Sequence, residues 1–155
     1  MTVNKILVIG AGAVGGYYGL KLLKSAGNDV TFVSRGETYT IIKNHGLILD
    51  SYKSGREHFK QINIINFNDI DKLTDKFDLI LICAKSYDTE NIASRIAHLI
   101  KSDCCVMSMQ NGVENEDILS NHINPANIAG AVVFISSALD KNIVNEANRY
   151  LISKD

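Results

Sequence analysis

Between Lys5 and Arg35 a glycine-rich turn is set between two hydrophobic runs, an order that few folds accept. Lys5-Ile6-Leu7-Val8-Ile9 is short and rich in branched side chains, as a parallel strand buried on both faces requires. It leads directly into Gly10-Ala11-Gly12-Ala13-Val14-Gly15, a G-x-G-x-x-G, and then into a helix that runs from Gly16 to Lys24. Gly10 permits the tight bend out of the strand, Gly12 lets a pyrophosphate approach the backbone, and Gly15 lets the helix lie close on the sheet. The helix then offers free N–H groups and the positive end of its dipole to phosphates. Past Gly27, a helix stop, Asp29-Val30-Thr31-Phe32-Val33-Ser34 supplies a second strand. This context separates a dinucleotide-binding turn from an incidental glycine-rich loop.

The end of the second strand bears on which dinucleotide is taken. An NAD site places Asp or Glu there, about 20 residues past the turn, to hold the ribose 2′-hydroxyl. This chain has Ser34-Arg35-Gly36 instead. A guanidinium pairs with a 2′-phosphate in a bidentate fork, whereas a carboxylate repels it. The residues therefore read as an NADP(H) site. Glu37, just past the strand end, keeps the NAD option open, and the bland alternative for Arg35 is a solvated surface charge.

With 155 residues, 46% of them hydrophobic, the chain suffices for one globular domain that buries roughly two-thirds of its unfolded surface. A net charge of −1 gives no electrostatic case for nucleic acid or an anionic membrane as partner. Cys83, Cys104 and Cys105 are odd in number and lack metal spacing, which suits small core residues in a reducing compartment. His45, His58, His98 and His122 are scattered, without the pairing of a helical zinc site, so no metal is expected. The apolar stretch from Ile6 to Leu23 carries Lys21 and no basic leader, and no later stretch is long and apolar enough to span a bilayer. A cytoplasmic protein is expected.

Further along, residues 37–45 read as a short helix stopped by Gly46, and 47–50 with 58–66 as a hairpin or pair of short strands. A polar connector with a helical turn covers 69–76. Phe77 to Cys83 is the next buried strand, ending at Ala84-Lys85-Ser86, with a helix from about Asp88 to Lys101. Ile92, Ile96, Leu99 and Ile100 form that helix's apolar stripe. Cys104 to Met109 is a strand that ends in Gln110-Asn111-Gly112. Glu114, Glu116 and Asp117 cluster where the dipole of a following helix favours them. Asn127 to Ala138 is a last apolar segment, and Ile143 to Ser153 one more strand. The sum is an α/β fold, a Rossmann-type doubly wound, mostly parallel sheet with helices on both faces. Ligands in such sheets lie outside the carboxyl ends of the strands. That places Lys85 beside a cofactor phosphate and Asn111 beside a ribose or substrate, against the plainer readings of a solvated lysine and a turn asparagine.

Together Gly10-Ala11-Gly12-Ala13-Val14-Gly15-Gly16, Ser34-Arg35, Cys83-Ala84-Lys85 and Gln110-Asn111-Gly112-Val113-Glu114 resemble the ketopantoate reductases, the 2-dehydropantoate 2-reductases. The glycine motif is shared with many dehydrogenases; the lysine at one strand end with Gln-Asn-Gly-Val at the next is more specific. The resemblance implies NADPH-dependent reduction of 2-dehydropantoate to pantoate, a step of pantothenate and coenzyme A synthesis. It implies that Arg35 and Lys85 hold the adenosine 2′-phosphate and that Asn111 lies at the nicotinamide end, near the substrate. Ser136 falls where the family's backbone lines the nicotinamide pocket. Family members also carry a second, helical domain that supplies a catalytic lysine, the general acid. This chain ends at Asp155, about where that domain would begin. Residues 1–155 are therefore expected to form the NADP(H)-binding domain without the catalytic one, and to be inactive alone. A stand-alone, non-catalytic NADP(H)-binding module and a reductase of another 2-oxo acid remain alternatives. The face that would meet a second domain leaves homo-oligomer formation open.

Overall fold

Both faces of the Lys5–Ile9 run are apolar, and the structure accordingly puts this strand, β1, in the middle of a six-stranded sheet with Ile6, Leu7 and Val8 fully enclosed. The computed structural model describes residues 5–147. After β1 come α1 (Ala13–Lys24), β2 (Asp29–Ser34), α2 (Gly36–His45), β3 (Leu47–Ser51), β4 (Gly55–Phe59) and β5 (Asn63–Asn66). Then follow β6 (Phe77–Ile82), α3 (Thr89–Ile96), β7 (Ile100–Ser108), α4 (Asn115–Ser120), β8 (Ile128–Gly130), β9 (Ser137–Asp140) and β10 (Ile143–Glu146).

The large sheet runs β5-β2-β1-β6-β7-β8 with every pair parallel. Counted within that sheet the order is 3-2-1-4-5-6, the doubly wound Rossmann order, and it reverses between β1 and β6. Alternation along β1 divides its side chains between two cores. Leu7 and Ile9 join Ile92 and Ile96 of α3 and Leu119 of α4 on one face. Ile6 and Val8 join Leu20 of α1 and Ile42 of α2 on the other. Each enclosed aliphatic side chain contributes about 1.5–3 kcal/mol. Burial on that scale, rather than helix propensity, holds both helical layers to the sheet.

A second sheet lies outside the pattern read from the sequence. Its order is β4-β3-β10-β9, with β10 parallel to β3 and the outer pairs antiparallel. Leu47, Leu49 and Val144 carry it into the same core as Leu20, so α1 is packed between two sheets. Glycines make this possible. A Cβ on Gly19 would come within 2.3 Å of the Phe32 ring on the large sheet, and one on Gly16 within 2.7 Å of Val144 on the small one. Tyr17 donates its hydroxyl to Glu146 Oε1 at 3.0 Å and Ser51 donates to Glu146 Oε2 at 2.5 Å, tying α1, β3 and β10 together.

Several element limits differ from the sequence reading. β3 and β4 do form a hairpin, but the run to residue 66 is broken at 60–62, and β5 turns away to become the edge of the large sheet. The helix expected to reach Lys101 stops at Ile96; a 3-10 turn, Ala97–Leu99, keeps Leu99 buried, and Ile100 already pairs with Phe77. Sheet pairing overrides the helical stripe there. The segment expected from 127 to 138 pairs only over β8, has no regular structure at 131–136, and then enters β9. The last expected strand pairs over Ile143–Glu146, and its portion past residue 147 lies outside the described residues.

Gly19→Ala should place its methyl against the Phe32 ring and lower stability by about 1–3 kcal/mol, the usual effect of overpacking. Thermal unfolding should show a fall in Tm of about 2–4 °C per kcal/mol for a chain of this size.

Candidate functional site

Where the strand order reverses, the carboxyl ends of β1, β2 and β6 open onto a cavity of about 250 Å³. The backbone of two turns forms its rim. Gly10 has φ +101°, open to glycine and strained for other residues, and a Cβ on it would lie 2.8 Å from the Ala84 amide nitrogen. The turn after β1 and the turn after β6 thus touch backbone to backbone. Cys83 donates its amide to Ile9 O at 2.8 Å, and Gly10 donates to Val33 O at 2.9 Å, so the ladder continues up to the rim. The first turn of α1 folds down onto this junction, since a Cβ on Gly15 would fall 2.0 Å from Gly10 O. Over Gly12, by contrast, a Cβ would meet nothing within 4 Å. No acidic residue occupies the first turn of α1.

Charge reaches the cavity from two strand ends. Arg35 follows β2 and Lys85 follows β6, and both line it. The Arg35 guanidinium is already engaged: Nη1 donates to Asp88 Oδ1 at 3.2 Å and Nη2 to Asp88 Oδ2 at 2.7 Å. Asp88 precedes the first residue of α3, yet its side chain makes no capping bond there. Among the described residues the Lys85 ammonium takes part in no such pair. The sequence reading found no carboxylate at the end of β2. The structure brings one to Arg35 from the loop after β6.

Of the residues singled out from the sequence, Gly10, Ala11, Gly12, Arg35 and Lys85 line the cavity. Ala13, Val14 and Gly15 form the first turn of α1 above it. Asn111 and Ser136 are not among its lining residues. Asn111 is exposed after β7, its carbonyl accepting from Asn115 Nδ2 at 3.1 Å. Ser136 is half-buried, and its carbonyl accepts from the Ala147 amide at 3.0 Å.

Sequence reasoning missed a polar network that joins the Lys85 loop to the Asn111 loop. Thr89 Oγ1, fully buried, lies 2.8 Å from Ser86 O and 3.0 Å from Asn115 Oδ1, and accepts from Gln110 Nε2 at 3.0 Å. Gln110 Nε2 also donates to Ala84 O at 3.1 Å. The available signal was a polar Thr or Asn at the start of an apolar helix, which reads equally as an ordinary cap.

Cys83 borders the cavity, and burial pushes its thiol up to about 12, so it is a neutral thiol near pH 7 and a poor nucleophile. Among the described residues no group of three His, Cys, Asp or Glu side chains is placed to hold a metal, and no helix is long and apolar enough to cross a membrane. Val113, Val132 and Phe134 are exposed on the segments leaving the carboxyl ends of the adjacent strands β7 and β8.

Residues 6–150 match the family described as ketopantoate reductase PanE/ApbA. The chain is 31% identical over 137 residues to a 2-dehydropantoate 2-reductase of a Nostoc species, an alignment that covers 88% of this chain and 41% of that protein. Among solved structures it is similar to a D-mandelate dehydrogenase with NADH and anilino(oxo)acetate, with TM-score 0.81 and 28% identity over 93% of this chain and 46% of that one. A PanE/ApbA family ketopantoate reductase of Ralstonia eutropha gives TM-score 0.79 and 33% identity, over 94% of this chain and 47% of that one. The chain spans well under half the length of the curated relatives it matches, 41% and 43% for the first two.

Thr89→Val keeps the side-chain shape and removes the hydroxyl that Ser86, Gln110 and Asn115 share. Chemical denaturation should report a loss of about 1–3 kcal/mol, the range for stranding buried polar partners.

Proposed function

We propose that this chain, which belongs to the ketopantoate reductase family, forms the NADP(H)-binding domain of an NADPH-dependent 2-dehydropantoate 2-reductase. One observation carries the reading: a cavity at the strand-order reversal with open backbone over Gly12 and two cationic side chains, Arg35 and Lys85, on its rim. A dinucleotide phosphate fits there, because the Gly12 backbone is uncovered and the amides opening α1 have no acidic neighbour in the first turn. Arg35 and Lys85 would hold the 2′-phosphate at the adenosine end. Gly10 and Gly15 would keep the turn shaped to receive the pyrophosphate. Bound there, NADPH would supply the hydride for reducing the ketone of 2-dehydropantoate to pantoate, for pantothenate and coenzyme A synthesis.

Asn111 and the backbone at Ser136, which do not line this cavity, would orient the nicotinamide end and the substrate. Asn111 can donate a hydrogen bond but cannot give up a proton, so it is not the general acid. That group, and the residues that grip the 2-oxo acid, would come from the portion of the relatives' length that this chain does not span. Three free cysteines accord with a reducing, cytoplasmic setting. The similarity to a D-mandelate dehydrogenase favours a second reading, a reductase of another 2-oxo acid on the same cofactor half.

Fluorescence titration should show NADPH binding more tightly than NADH. Arg35→Ala should weaken NADPH by about 1.5–3 kcal/mol, the range for a hydrogen bond to a charged group, and barely affect NADH. Equal affinities for the two would sink the NADP assignment.

A second expectation concerns chemistry. Hydride transfer needs the ketone held against the nicotinamide and a proton donor at its oxygen. This chain mixed with NADPH and 2-dehydropantoate should therefore show no decline in NADPH absorbance. Turnover should appear in a protein carrying the further domain as well, and Asn111→Ala should impair it there. Steady turnover by residues 1–155 alone would place the general acid within them.

A further inference from the structure

We infer that Asp88 sets the cofactor preference of this site by occupying the Arg35 guanidinium in competition with a 2′-phosphate. The inference rests on the nucleotide reading proposed above and goes beyond it to the residue that tunes it.

Three observations support it. Asp88 is the only carboxylate among the described residues that line the cavity. It engages Arg35 through both of its oxygens, at 3.2 and 2.7 Å, in the side-by-side arrangement in which a guanidinium binds a phosphate. Its position is also built in, because the adjoining Thr89 is buried and locked to Ser86, Gln110 and Asn115. The Asp88 side chain is 16% exposed while Arg35 is 54% exposed, so the carboxylate is the fixed member and the guanidinium the freer one.

The consequence follows from charge. Arg35 and Lys85 would give the adenosine end of the cavity two positive charges, and Asp88 cancels one of them. A 2′-phosphate carries a charge of about −1.5 to −2 near pH 7. To reach Arg35 it must displace the carboxylate from the fork and then sit beside it. A ribose 2′-hydroxyl meets no such repulsion and can donate to the same carboxylate. Asp88 therefore narrows the gap between NADPH and NADH that Arg35 and Lys85 alone would open.

The test titrates this chain with NADPH and with NADH at one low ionic strength, as wild type, Asp88→Asn, Asp88→Ser, Arg35→Ala and the Arg35→Ala/Asp88→Asn pair. Asp88→Asn should tighten NADPH about tenfold, the scale of one charge-assisted hydrogen bond, and move NADH less than twofold. Asp88→Ser should act in the same direction, and the gain should shrink when Arg35 is absent. A purely structural role would move both nucleotides together. An unchanged NADPH-to-NADH ratio in both Asp88 variants overturns the inference. So does weaker NADPH binding in both, which would mean that Asp88 aligns Arg35 for the phosphate. Wild-type chain that binds neither nucleotide removes the nucleotide reading itself, and this inference with it.

Discussion

The contact on which the site depends is between two stretches of main chain, Gly10 and Ala84. With no room for a methyl between them, the turn after β1 and the turn after β6 behave as one rigid piece. The first turn of α1 is clamped onto that piece at Gly15, and the Thr89 network extends it to the loop after β7. Three strand ends are thereby fixed relative to one another, two by main-chain contact and the third through the side chains of Thr89, Gln110 and Asn115. Preorganisation of this kind lowers the entropy lost when a ligand is bound.

Against that rigid frame the Arg35–Asp88 pair is a minor term in stability. Pairs of this exposure contribute roughly 0–1 kcal/mol, because water and salt screen them and two side chains must be held still. Hydrophobic burial around β1 exceeds that several times over for each enclosed side chain. The pair matters for the field at the cavity mouth, where one carboxylate more or less changes the sign balance that an incoming phosphate meets.

What could be read from the sequence was what depends on near neighbours. The strand at Lys5–Ile9, the glycine turn and the helix after it are encoded in one contiguous stretch, and the period-two pattern of β1 divides as the two cores require. The small sheet was hidden because its central strands, β3 and β10, are far apart in sequence; Asn142 donates to Gly46 O across 96 positions. Asp88 was hidden likewise, since its partner is 53 positions away and its own surroundings suggest only a helix start. At α3 the local stripe favoured helix through Leu99 and Ile100, but the pairing of Ile100 with Phe77 decided otherwise. Asn111 could be placed at a strand end; that this end lies outside the cavity around Arg35 depends on packing that periodicity does not carry.

The sandwiching of α1 has a consequence for the order in which the chain can be completed. One side of the helix is met early, by strands close to it in sequence. The other waits for β10, whose Glu146 bonds to Tyr17 across 129 positions. At synthesis rates of about 5–20 residues per second, that interval is roughly 6 to 26 s. Throughout it β3 can already pack against the helix, but the part that β10 covers, Gly16 and Tyr17 included, lacks that strand. A glycine and a tyrosine with a polar tip make that waiting surface less adhesive than a stripe of leucines would be.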